Sequence, residues 1–147
     1  MDIKIGISYG DFIIGMFKKE VINKFGKPNK TYHLSGIDGS YFEYNNEQVI
    51  IKFDVDSSTN NNRVSQIEVK DKNATIQGFQ LWGLSKSKVK NIFEKELKTE
   101  ASLEDYDTFE TLSFDDFSLE FSFELGKLIS INIDVILDEN EDEIWHK

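Results

Sequence analysis

The chain has 147 residues, two histidines (His33 and His146) and no cysteine. That inventory removes thiol nucleophiles, disulfide frameworks, iron–sulfur clusters and zinc sites built on cysteine. With His33 and His146 the only imidazoles, most His-based metal centres and Ser-His-Asp constellations are also removed. Carboxylates are the abundant reactive groups, with 27 Asp and Glu against 17 Lys and Arg. Adjacent acids such as Asp115 and Asp116 have the chemistry for general acid–base work. A chain this rich in acids produces adjacent pairs by composition alone, so the pair by itself does not mark an active site. Asp54-Val55-Asp56-Ser57-Ser58-Thr59-Asn60 opens like a calcium loop. Thr59 then stands at the sixth position, where the sharp turn needs Gly, and Ser65 at the twelfth, where a bidentate Glu is needed. No nucleophile elbow, Walker loop or dinucleotide fingerprint occurs, and Gly36-Ile37-Asp38-Gly39 reads as a turn. The expectation is a protein that is not an enzyme and holds no metal or cofactor.

The charge is more informative than the reactive groups. The formal net charge is −10, which argues against nucleic acid and against an anionic membrane surface as partners. Residues 1–99 carry 15 basic and 12 acidic side chains, whereas residues 100–147 carry 2 and 15. The acidic excess therefore belongs to the last third of the chain, and asymmetry of this kind bears on partners and association rate. The final segment, Asp138-Glu139-Asn140-Glu141-Asp142-Glu143-Ile144-Trp145-His146-Lys147, sets five acids before an apolar pair. Trp145 is a candidate aromatic anchor within it. The opening Met1-Asp2-Ile3-Lys4-Ile5 alternates polar and apolar, which reads as a strand and not a secretory signal. No apolar run approaches the roughly 18 residues of a spanning helix. A cytoplasmic location is expected.

These side chains need elements to hold them. Gly15-Met16-Phe17-Lys18-Lys19-Glu20-Val21-Ile22-Asn23-Lys24-Phe25 aligns with Gly83-Leu84-Ser85-Lys86-Ser87-Lys88-Val89-Lys90-Asn91-Ile92-Phe93 at an offset of 68. In the first segment Val21, Ile22 and Phe25 share an apolar face, and Gly26 and Pro28 end the helix. In the second, Val89, Ile92, Phe93 and Leu97 form an apolar stripe behind an N-cap at Ser85. Each predicted helix is followed by three predicted strands. The first set is Tyr41–Tyr44, Val49–Phe53 and Val64–Val69; the second is Thr111–Phe114, Phe117–Phe123 and Leu128–Ile133. Phe117, Leu119, Phe121 and Phe123 alternate with Ser118, Glu120, Ser122 and Glu124, giving a strand that is dry on one side and acidic on the other. Asn45-Asn46-Glu47 and Leu125-Gly126-Lys127 supply hairpin turns, and Asn60-Asn61-Asn62 reads as a loop. The expected fold is α+β: two tandem helix-plus-three-strand repeats, one antiparallel sheet, both helices on one face. One domain spans 1–147, with repeats at about 3–70 and 74–135 and an acidic tail at 136–147.

The segment Gly15–Pro28 resembles the opening helix of the small αβ repeat in β-lactamase-inhibitor-protein-like and outer-membrane-assembly-lipoprotein-like folds. The pattern is Gly, apolar, a small residue, Glu-Val, then Gly-x-Pro. Phe17 departs from it, standing where the pattern prefers a small N-cap, and the second copy lacks the Gly-x-Pro ending. The lipoprotein branch needs a lipid-bearing Cys, which this sequence lacks. The inhibitor branch grips a target protein on a concave sheet. Small acidic α+β chains of this kind also resemble immunity proteins of polymorphic and contact-dependent toxin systems. The resemblance implies a non-enzymatic inhibitor that occludes the basic cleft of a toxin domain. The candidate partner-binding residues are Glu104, Asp105, Asp107, Asp115, Asp116, Glu120, Glu124 and Trp145. The competing expectation is an adaptor that binds a peptide or small ligand on its sheet.

Overall fold

The computed structural model describes residues 1–33, 40–56, 61–137 and 143–144. The turn expected at Asp38-Gly39, Asn60, and the tail with Trp145 and His146 lie outside the described residues. In chain order the elements are β1 (Asp2–Lys4), β2 (Ser8–Tyr9), β3 (Phe12–Ile13), α1 (Lys18–Phe25), β4 (Lys30–His33), β5 (Ser40–Tyr44), β6 (Val49–Asp56) and β7 (Asn61–Val69). There follow β8 (Thr75–Ile76), α2 (Lys86–Leu97), β9 (Ser102–Asp105), β10 (Glu110–Phe114), β11 (Leu119–Glu124), β12 (Lys127–Asp134), β13 (Ile136–Leu137) and β14 (Glu143–Ile144). The fold is mixed, with two helices and mostly sheet among the described residues.

The main sheet has eight strands in the order β4-β5-β6-β7-β12-β11-β10-β9. Each neighbouring pair is antiparallel. Hairpins make this order short-range everywhere except at the β7–β12 pairing. Leu125 and Gly126 take φ of 51° and 77° between the paired Glu124 and Lys127, which matches the right-handed strand twist. Four strands of the main sheet follow each helix, not the three expected. The additional strand in each set is an outer one, β4 or β9, and its short polar sequence gives no apolar alternation to read. The small sheet, β3-β2-β1-β8, pairs β1 parallel with β8. Asp2 Oδ1 accepts from the Thr75 hydroxyl at 2.5 Å and from the Gly78 amide at 3.0 Å, tying the start of the chain to the segment that precedes α2.

One face of the main sheet is dry. Registers align Phe42, Ile51, Ile67, Ile133, Leu119 and Phe114 across it, and all are buried. Both helices cover this face. From α1, Phe25 stacks on Phe12 with centroids 3.8 Å apart and meets the edge of Tyr44 at 6.1 Å. From α2, Phe93 lies 5.2 Å from Phe121 and 6.4 Å from Phe114. No helix among the described residues is long and apolar enough to cross a membrane.

Several local expectations change. Ile22 does not share the buried face of α1; it is exposed, and Val21 and Phe25, a full turn apart, make the contact. Phe17 caps α1 without a side-chain acceptor. Its amide instead donates to Glu20 Oε1 at 3.1 Å, and its ring lies 4.3 Å from the Arg63 guanidinium. Gly26 ends α1 with φ 80° and ψ −167°, a conformation close to glycine-only that replaces the expected left-handed cap. Ser85 caps α2 as expected, accepting from the Lys88 amide. Phe117 belongs to a 3₁₀ turn (Asp115–Phe117), and Ser118, with φ 49°, resets the chain before β11. Asn61 and Asn62 begin β7 and are not loop residues.

Phe93 is fully buried among Phe79, Phe114 and Phe121. Phe93→Ala should cost about 3–5 kcal/mol. Urea unfolding followed by circular dichroism checks this through a lowered midpoint at unchanged slope.

Candidate functional site

The second face of the main sheet is covered by neither helix and is polar. Side-chain alternation on each strand, read through the registers, assigns it Lys30, Glu43, Lys52, Asp54, Glu68, Asn132, Asp134, Glu120, Ser113, Thr111 and Glu104. Opposite charges pair toward the β4 side, Lys30 with Glu43 at 3.8 Å and Lys52 with Asp54 at 3.9 Å. On β9 to β11 the charged side chains of this face are all acids, with Lys127 opposite Glu124 at the β11–β12 hairpin. Two bulges bend the surface. Ser65 is the extra residue of β7 and Ile129 the extra residue of β12.

The centre of this face is partly desolvated. Burial pushes the Asp134 carboxyl up to about 6; Lys52 opposes that shift, and the charges of Glu120 and Asp54 add to it. Burial also raises Glu120. The Ser113 hydroxyl, donating to its Oε2 at 3.2 Å, opposes the rise, while Glu104, Asp115 and Glu68 reinforce it. Asn132 Oδ1 and Asp134 Oδ1 are buried with no hydrogen-bond partner among the described residues. These two acceptors stand on one strand, two residues apart.

The residues expected from the sequence divide. Glu104, Asp115 and Glu120 come together, since each of the first two acts electrostatically on the third. Asp105 pairs with Glu110 and turns toward the helix side of β9. Asp107 sits in the β9–β10 turn with φ 70°, its amide donating to Asp105 Oδ1 at 3.0 Å. Asp116 lies exposed in the 3₁₀ turn, and Glu124 is exposed at the end of β11. Trp145 lies outside the described residues. The sequence reading missed Asp134, Asn132, Asp54 and Glu68. Their signal was present: the hairpin at Leu125-Gly126 sets Asn132 opposite Glu120, and the alternation of Ile131 and Ile133 turns Asn132 and Asp134 outward.

The chemistry available here is attraction of cations. Among the described residues no group of three or more His, Asp or Glu is placed to hold a metal ion. Asp54 lies within the extended β6, so the residues of the calcium-like motif do not begin as a loop. Cavities of about 600 and 710 Å³ are lined respectively by residues around Trp82 and Lys127 and by residues around Met16 and Arg63, away from Asp134 and Glu120. Comparison with protein-family models, curated proteins and solved structures gives no match.

A carboxyl whose folded-state pKa is raised adds stability below the unfolded value near 4, and loses it as pH rises through about 6. Asp134→Asn should therefore match the parent near pH 4 and exceed it increasingly up to pH 6. The gap should be on the order of 1 kcal/mol once solvent screening is allowed for. Urea titrations across this range check it, and a gap independent of pH would show that titration of Asp134 does not set it.

Proposed function

We propose that the protein binds a basic protein partner on the exposed face of its main sheet and inhibits it by covering it, as an immunity protein covers a toxin. The observation that carries this reading is the acid-rich, helix-free sheet face centred on Asp134 and Glu120. Its buried oxygens on Asn132 and Asp134 have no donor within the described residues. Lys and Arg side chains supply such donors and the opposite charge. A surface of one sign also steers a basic partner from a distance. The resemblance of Gly15–Pro28 to the inhibitor-type αβ repeat supports the same reading, as does the lack of a catalytic constellation in the sequence.

The proposal includes duplication of one αβ unit. Supporting it are Gly15 and Gly83, 68 positions apart, with φ of 95° and 93°, and the equivalent placement of β4–β7 after α1 and β9–β12 after α2. A second reading, an adaptor for a small ligand, is favoured by the 710 Å³ groove beside Ile13, Met16 and Arg63. Binding that is unaffected by substitutions on the acidic face would select it.

Co-expression with the domain encoded by the neighbouring gene tests the main reading directly. A complex and relief of toxicity are expected, and failure of both overturns it. Asp115→Lys with Asp116→Lys should slow association several-fold, up to about tenfold at low salt, and flatten its salt dependence. Stopped-flow mixing at a series of ionic strengths measures both effects.

A further inference from the structure

The β9 edge, resting on the reading above that the partner is basic, shows how that partner is held. We infer that β9 takes up an extended basic segment of the partner as an added strand. β9 is the last strand of the main sheet, and all four of its residues are exposed. The Tyr106 amide donates to the Phe109 carbonyl at 2.8 Å, which marks 106 and 109 as a hydrogen-bonded pair. Two steps along the antiparallel register, Glu104 with Thr111 and Ser102 with Ser113 are bonded pairs too. The N–H and C=O of Leu103 and Asp105 therefore point away from β10, where an incoming strand would meet them.

The side chains at this edge are those of a docking surface more than of a guarded one. Guarded edges carry charge and little apolar area. Here Leu103 is 51% exposed, and on the opposite face, just past the strand's end, Tyr106 and Phe109 stack with centroids 4.9 Å apart while 48% and 36% exposed. An exposed aromatic pair next to unpaired backbone offers an anchor together with main-chain bonding. The sign of the partner follows from charge: residues 100–126 contain nine acids and no Lys or Arg. The same edge of a second copy would oppose acids to acids, which is unfavourable. A partner strand with a basic residue opposite Glu104 and an apolar residue opposite Leu103 fits, which is an alternating basic–apolar pattern.

The experiment uses the full chain, isotope-labelled, with a short synthetic peptide of alternating Lys and Val and a Glu-Val peptide for comparison. The Lys-Val peptide should slow hydrogen exchange at the Leu103 and Asp105 amides. Leu103→Pro, which removes an outward N–H, should weaken it about tenfold or more. Leu103→Lys, which keeps the backbone intact and adds a like charge, should do the same and covers the case in which the proline variant fails to fold. Protection confined to residues around Asp134, with the edge amides unchanged, would overturn strand addition and leave the basic-partner reading standing. Equal binding of the Glu-Val peptide would overturn both. Concentration-dependent association of the protein alone, abolished by Leu103→Lys, would make a second copy the occupant, through its β4 edge, and overturn the assignment to a partner.

Discussion

Everything on the exposed face depends on one seam, the antiparallel pairing of β7 with β12. Four residue pairs make it: Val69 with Ile131, Glu68 with Asn132, Ile67 with Ile133 and Gln66 with Asp134. Val69, Ile67, Ile131 and Ile133 are fully buried beneath the helices. The same four pairs lay Glu68 and Gln66 of β7 beside Asn132 and Asp134 of β12. Without the seam the chain would hold two four-stranded sheets, each with its own edge at this position. With it, the packing of aliphatic side chains on one side fixes the relative positions of carboxylates on the other.

The two faces therefore have different energetic roles. The helix side buries nearly all the large apolar groups, including the ring cluster of Phe93, Phe114 and Phe121 and the stack of Phe12 on Phe25. That burial is the main source of stability. The exposed side draws on it, because Asp134 and Glu120 hold charge in partly desolvated positions. A folded protein keeps such costs where a binding partner relieves them more often than where nothing does.

The elements that were legible in the sequence are those with strong local chemistry. The stripe on α2, its Ser85 cap and the turn at Leu125-Gly126 follow from side-chain spacing and backbone freedom. β4 and β9 were not legible, because Lys-Thr-Tyr-His and Ser-Leu-Glu-Asp lack the apolar alternation that half-buried strands show. Both are strands because a neighbour pairs with them. Phe117 continued the alternation of β11 in sequence, but the 3₁₀ turn at Asp115–Phe117 takes it out of the strand. Of the candidate site, Glu104, Asp115 and Glu120 could be read from local acidity. Local alternation turns Asp134 outward, but setting it beside Gln66 required knowing that β12 meets β7, a pairing across more than 60 residues that no local pattern encodes.

The bulges have a further consequence in the order of synthesis. β7 is complete once Val69 has been made, yet its partner β12 starts only at Lys127. Through that interval β7 is the uncovered end of a growing sheet, and a regular strand there would invite pairing with other chains. The extra Ser65 interrupts its ladder at that position, and in the finished protein the Ser65 carbonyl accepts from the Val135 amide at 2.7 Å, immediately after β12. The irregularity that would blunt such an edge thus also serves as a fastening for the native strand.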